Sequence, residues 1–363
     1  GSGRRVVAAV VPVGGPSMSS TRPVEVTNAT KRFGDTLALD DVGIRVDDAE
    51  ILALVGPSGC GKSTLLRIVG GLESLDSGSV RLAGRLVDDG TTRLPPERRG
   101  IGLVFQEHAL FPHLTVRSNV AFGIRDRSAV DQRHRVDEML AVVSLPELGD
   151  RYPHELSGGE RQRIALARAL APEPTVMLLD EPFASLDRNL RVDLRRHVVD
   201  ALRATGTAAV MVTHDQHEAL AIGDRVAVMR SGRIVQTDTP SRVYHSPVDE
   251  FVAAFLDEAS FLPIDQVDGT ASTVLGGGGG GTSPTQRALV RPDDLEFTDA
   301  DTGIDVEVTA VEYRGMHWFA EVGLHDGTTM RALASHLHPP RVGDRGRIRL
   351  VAGHAQVPVE PVD

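Results

Sequence analysis

The stretch GPSGCGKST, residues 56–64, constrains this chain more than any other. It fits G-x-x-x-x-G-K-[ST], and it follows an apolar strand-like run, ILALV, and opens a helical one, KSTLLRIVGG. In that setting Gly56 and Gly61 let the backbone fold around phosphates, and the N–H groups from Ser58 and Gly59 through Thr64 turn inward. Lys62 is placed to reach the β- and γ-phosphates of a nucleotide, and Ser63 to ligate Mg²⁺. A glycine-rich turn alone says little. The order strand, loop, helix makes it a phosphate cradle.

The rest of the first 260 residues agrees with that order. Residues 24–56 alternate like strands, and TVMLLD (175–180) is a continuous apolar run, as a buried parallel strand requires. A helix over 187–204, the strand AAVMVTH and a helix from Gln216 follow. Alternating strands and helices predict a parallel α/β sheet. The helix-rich stretch 107–170 is expected to ride on it as a subdomain, RVAVMRSGRIVQ to form a hairpin, and DEFVAAFL (249–256) to close the first domain.

Beyond about residue 260 the texture changes. The six glycines 276–281 cannot sit inside an element and read as a loop or linker. About five short strand-like runs then predict a small β-barrel. The expected domains are 21–258 and 259–363, with residues 1–20 disordered. The leading Gly-Ser-Gly reads as a cloning remnant, and Met18 as a natural start; the two arginines and short apolar run before it resemble a signal peptide only faintly.

Composition excludes several roles. Aromatic residues make up 4% and the net charge is −11, which argue against a nucleic-acid partner and against a membrane-surface electrostatic footprint. A single cysteine, Cys60, rules out an intrachain disulfide and fits a reducing compartment. The sequence has no run of about 18 apolar residues, the length needed to span a bilayer.

Further motifs carry chemistry. VMLLDEP (176–182) ends its strand in two carboxylates. Asp180 is placed to hold magnesium and Glu181 to act as general base on an attacking water. Gln106 and His214 each end a strand and could ligate a metal or touch a γ-phosphate, but each alone is a common strand-end residue. LSGGERQR (156–163) places Ser157, Gly158 and Gly159 at a helix start, a second anion site. His336 and His338, beside two prolines, read as surface loop.

In their order along the chain, these elements resemble those of the ATP-binding-cassette ATPases, over roughly residues 22–258. LSGGERQR is similar to the signature sequence of that family. The resemblance implies a P-loop ATPase core with a helical subdomain, binding ATP and Mg²⁺ and acting as a head-to-tail homodimer with two ATP molecules sandwiched between the chains. Ser157 and the amides of Gly158 and Gly159 would then bind the γ-phosphate of ATP held by the other copy. Glu160 stands where the family most often has Gln, near the partner nucleotide's ribose, and can accept a hydroxyl hydrogen bond. Phe33 matches the aromatic that stacks on adenine. Asp187, in SLD, would couple the two sites.

Residues 94–124 resemble importer ATPases, with Phe111, Pro112, His113 and Leu114 lining a cleft that receives a helix of the membrane subunit. VRPDDLEF and the strands after it resemble the OB-like regulatory barrel of maltose-, polyamine-, sulfate- and ferric-iron-type importers. The resemblance therefore implies a peripheral ATPase on the cytoplasmic face of the cell membrane. It would serve two transmembrane permease subunits and, indirectly, a periplasmic or lipoprotein solute-binding protein. Ferric iron is the preferred solute; polyamine, thiamine, sulfate and sugar stay open. The alternative of a different class is a soluble mechanochemical ATPase without membrane subunits.

Overall fold

The computed structural model describes residues 22–104, 110–184, 188–267, 270–275, 286–298, 303–315, 317–351 and 357–361. Gln106, Asp187, residues 1–20 and the six glycines lie outside these.

The chain opens with β1 (Val24–Phe33) and β2 (Thr36–Val46), then enters the central sheet at β3 (Ile51–Val55) and leaves it by α1 (Lys62–Gly70). Strands β4 (Ser77–Leu82) and β5 (Arg85–Asp88) complete a four-stranded antiparallel sheet in the order β2-β1-β4-β5. After β6 (Ile101–Val104) come the helices α2 (Val116–Val120), α3 (Ala129–Val142) and α4 (Gly158–Leu170). Then β7 (Val176–Asp180), α5 (Arg188–Thr205), β8 (Ala208–Val212), α6 (Gln216–Ile222), β9 (Arg225–Arg230) and β10 (Arg233–Asp238) follow. The central sheet runs β10-β9-β3-β8-β7-β6, parallel except for the β9–β10 hairpin.

Side chains of a strand alternate between faces, and here both faces are covered. Ile51, Ala53 and Val55 of β3, with Met177 and Leu179 of β7, join a core built with Met139, Leu140, Ile164 and Leu194 of the helices. Leu52 and Leu54, with Val176 and Leu178, join the opposite core, built with Leu65 and Ile68 of α1 and Val26, Ile44 and Val80 of the antiparallel sheet. A sheet clothed on both sides explains why β3, β7 and β8 read as unbroken apolar runs. Their carboxyl ends lie side by side, and that edge carries the site.

After α7 (Pro240–His245) and α8 (Glu250–Leu256) the chain becomes all strand: β11 (Ser260–Pro263), β12 (Asp265–Val267), β13 (Thr270–Ser272), β14 (Arg287–Val290), β15 (Leu295–Thr298), β16 (Ile304–Tyr313), β17 (Trp318–Gly323), β18 (Thr329–Ala334), β19 (Arg345–Leu350) and β20 (Val357–Val359). The expected five strands are thus too few. A five-stranded sheet, β15-β19-β16-β17-β18, faces a three-stranded one, β11-β14-β20, and β12 pairs with β13. Leu262, Ala288 and Val290 share one core with Val306, Ala320, Met330 and Ile348. RALVRPDDLEF reads as one run but is broken by a 3₁₀ turn at Pro292–Asp294, which sends β14 and β15 into different sheets. Strand β20 contains Pro358, tolerated because β20 is an edge.

The strand region is seated on α7 and α8. Ala253 packs with Leu289 and Val359, and Glu250 N–H donates to Glu360 O at 3.0 Å. The buried Arg291 guanidinium donates to the Tyr244 carbonyl at 2.9 Å and lies 3.8 Å from the centre of the Tyr244 ring.

Candidate active site

The phosphate loop spans the gap between β3 and α1. Gly61 caps α1 at φ 111, and a Cβ there would lie 2.4 Å from Ala38 O. A Cβ on Gly56 would lie 2.2 Å from Met229 O, so only glycine fits at either position. The first N–H used by the helix ladder is that of Leu65, which donates to Gly61 O at 2.9 Å. The N–H groups of Lys62, Ser63 and Thr64 therefore remain for an anion, with the positive end of the helix dipole behind them. Lys62 is buried, and its ammonium donates to Gly56 O at 2.7 Å and Pro57 O at 2.9 Å. Cys60 is buried beside it as a small filler.

Asp180 ends β7, and its Oδ1 accepts from Ser63 Oγ at 3.1 Å. Burial pushes the Asp180 carboxyl above its ordinary range; Ser63 opposes the shift, and the neighbouring Glu181 adds to it. A hydroxyl and a half-buried carboxylate in contact, both on rigid elements, form the oxygen pair a hard divalent cation takes. The residues present therefore fit Mg²⁺.

Glu181 turns out of the sheet. Its φ is +46, a left-handed conformation rare for a side chain of this size, and its N–H donates to Val212 O at 3.0 Å. That turn brings Glu181 Oε2 to 3.2 Å from His214 Nδ1, two residues beyond the end of β8. The structure thus gathers Lys62, Ser63, Asp180, Glu181 and His214 along one sheet edge.

Ser157 and the glycines after it open α4 at a separate place. Ser157 Oγ accepts from Glu160 N–H at 3.3 Å, and Glu160 Oε2 accepts from Ser157 N–H at 2.7 Å. This is a reciprocal capping box, and the sequence reading missed it although S-x-x-E was in view. Hydrogen bonds from Ser157, first the backbone N–H, hold the Glu160 carboxyl below its usual range. One Glu160 oxygen is thereby committed to the backbone. The N–H groups of Gly158 and Gly159 stay outside the helix ladder, which starts with Arg161 N–H on Ser157 O.

Phe33 stands at the end of β1, 47% exposed, with the Lys31 ammonium 5.2 Å from its ring centre. It is therefore not a core aromatic. In α2 the buried Asn119 holds the loop before the helix: its side-chain amide accepts from Phe111 N–H and donates to the carbonyls of Phe111, Leu114 and Thr115. Pro112 and His113 are exposed, and the Phe111 ring lies tilted against that of Phe122, 4.3 Å between centres. His336 and His338 are exposed, and among the described residues no group of three or more His, Cys, Asp or Glu side chains is arranged to hold a metal.

Comparisons with known proteins give the family. A family model described as "ABC transporter" matches residues 39–184, and one described as "TOBE domain" matches 288–357. The "Fe(3+) ions import ATP-binding protein FbpC 1" of Rhodococcus jostii is 43% identical over 344 residues, 91% of this chain and 97% of that protein. The chain belongs to the ABC transporter family. It is an ATPase of the import ATP-binding kind. The "Sulfate/thiosulfate import ATP-binding protein CysA" of Nocardia farcinica is 52% identical to this ABC ATPase, over 66% of this chain and 72% of its own. That of Synechococcus elongatus is 42% identical over 93% and 94%. Among solved structures, cbiO1 from Clostridium perfringens, titled part of the ABC transporter complex cbiONQ, is 30% identical with a TM-score of 0.57, covering 61% of this chain and 90% of its own. No helix among the described residues is long and apolar enough to cross a membrane.

Proposed function

We propose that this ABC ATPase drives ferric-iron import as a head-to-tail homodimer, peripheral to the cytoplasmic face of the cell membrane. Two transmembrane permease subunits and a periplasmic or lipoprotein solute-binding protein complete the system in this reading. Residues 21–258 do the ATP chemistry and the strand region after residue 258 regulates it. The observation that carries the chemical part is the Glu181–His214 pair, at 3.2 Å, on the same sheet edge as Lys62 and Asp180.

In this mechanism the α1 N-terminus cradles the β-phosphate, and Lys62 exchanges two neutral carbonyls for charged phosphate oxygens, a stronger acceptor. Ser63 and Asp180 would hold Mg²⁺, with Gln106 as a further ligand, and the ion would supply positive charge to the phosphates. Glu181 takes a proton from the water that attacks the γ-phosphorus, while ADP leaves on the opposite side. His214 stands against the Glu181 carboxylate and touches the γ-phosphate. Phe33 stacks on adenine. Ser157, Gly158 and Gly159 serve the ATP of the other copy, Glu160 accepts from its ribose through the oxygen not used in the cap, and Asp187 joins the two sites.

Ferric iron is favoured because the Rhodococcus iron protein is similar through both domains at nearly full length. Sulfate is the second reading, since the Synechococcus sulfate protein is similar over as much of the chain. Uptake of radioactive iron and of radioactive sulfate, in cells lacking this gene and complemented with wild type or Lys62→Ala, tests both. Loss of iron uptake alone supports the first reading; loss of sulfate uptake alone replaces it.

A further inference from the structure

His214 contacts Glu181, yet its ring is 55% exposed, so burial of the ring does little to fix it. The residues on either side of it are what the fold holds. Thr213 is buried, and its Oγ1 accepts from Asp215 N–H at 3.0 Å and donates to Glu218 Oε2 at 2.8 Å. Asp215 Oδ1 accepts from Glu218 N–H at 3.1 Å, capping α6. Both carboxylates then meet one cation from another helix: Arg191 of α5 lies 3.6 Å from Asp215 Oδ2 and 3.7 Å from Glu218 Oε1. Arg191, Thr213, Asp215 and Glu218 line one small pocket together with Glu181 and His214.

We propose that Glu218 and Arg191 are positioning residues for ATP hydrolysis, setting His214 against Glu181 through Thr213 and Asp215. A carboxylate with only 5% of its residue exposed is costly to keep unless it is paired and hydrogen-bonded. Thr213 supplies the hydrogen bond and Arg191 the charge. Burial raises the Glu218 carboxyl above its usual range while Thr213 and Arg191 pull it back. With residues 213 and 215 both tied to the first turn of α6, and that turn tied to α5, His214 can adjust only through its own side-chain torsions. Losing the tie lets the imidazole drift, and a misplacement of about 1 Å is worth up to about 10²-fold in rate.

The inference rests on the reading that His214 acts in hydrolysis, so the test separates the two. The full-length protein is assayed with Mg-ATP as wild type, Glu218→Gln, Arg191→Ala, Arg191→Lys and His214→Ala, and as Glu218→Gln in the His214→Ala background. Glu218→Gln keeps size and an acceptor for Thr213 but loses the charge; kcat falls about 10- to 100-fold with KM for ATP nearly unchanged. Arg191→Lys recovers part of what Arg191→Ala loses. Without His214, Glu218→Gln has no further effect, because the two act as one unit. Wild-type kcat in Glu218→Gln, beside an impaired His214→Ala, overturns the positioning role and leaves His214 in place. An equal loss from Glu218→Gln with and without His214 also overturns it. Wild-type activity in His214→Ala overturns the underlying reading itself. Should Glu218→Gln fail to fold by circular dichroism, Thr213→Val and Thr213→Ser decide: kcat lost in the first and kept in the second supports the tie, and kcat kept in both refutes it.

Discussion

Replacing Glu181 by glycine should make the enzyme inactive and more heat-stable at once. Its φ of +46 places a β-carbon-bearing residue in the left-handed region. That conformation costs about 1–2 kcal/mol for an L-residue other than glycine. Glycine adopts it without strain but loses about 0.5–1 kcal/mol more chain entropy on folding. The difference favours glycine by about 0.5–1 kcal/mol. The reference is Glu181→Gln, which keeps the strained backbone and loses the same negative charge beside Asp180. The contact to His214 enters both variants, and with side chains 28% and 55% exposed it contributes little. For a domain of this size about 1 kcal/mol moves Tm by about 2–4 °C, so Glu181→Gly should melt roughly 1–4 °C above Glu181→Gln. Both should lose about 10²–10⁴-fold in ATP turnover, the range for a general base. Differential scanning calorimetry without nucleotide and a phosphate-release assay read the two quantities. If the glycine variant melts below the glutamine variant, the backbone at the end of β7 is not strained and the argument fails. If either variant hydrolyses at the wild-type rate, Glu181 is not the base.

Ser157→Arg should still bind ATP through its own loop, yet fail to hydrolyse it or to dimerise on size-exclusion chromatography with Mg-ATP; full activity would refute a shared site. Glu160→Gln should change ATPase activity by less than about tenfold, since one neutral hydrogen bond is worth roughly 0.5–1.5 kcal/mol and Gln can complete the capping box. Because the folded state holds the Glu160 carboxyl below its ordinary 4.5, that contribution is fully present above pH 4.5 and is lost as pH falls through the lowered value. Acid titration of melting should therefore show a smaller decline in Glu160→Gln than in wild type. A chain ending at residue 258 should bind and hydrolyse ATP but melt lower than the full chain, because Ala253 and the Tyr244 ring lose their cover; a folded but ATP-blind fragment would contradict the division at 258/259.

The local motifs were legible because their physics is local. GPSGCGKST makes its turn within nine residues, and VMLLDEP ends a strand in two carboxylates wherever it folds. Continuous apolar runs in β3, β7 and β8 require cover on both faces, so the parallel sheet was legible as well. The capping box at Ser157 and Glu160 is equally local, since S-x-x-E closes it within one turn of α4. Other features were not available in one dimension. Arg191 and Glu218 are ordinary helix charges until α5 and α6 bring them together, and nothing in their spacing says that one is buried. The C-terminal strands were undercounted because β11, β13 and β20 have only three or four residues each, too few for a period of two to show. Pairing makes them strands: β14 holds β11 on one side and β20, nearly seventy residues on, at the other. The sequence by itself determined which residues can bind phosphate, hold a cation or take a proton. Tertiary structure alone decided which of them meet, because Ser63 with Asp180, Glu181 with His214 and Arg191 with Glu218 are joined by the sheet's long crossovers and not by the chain between them.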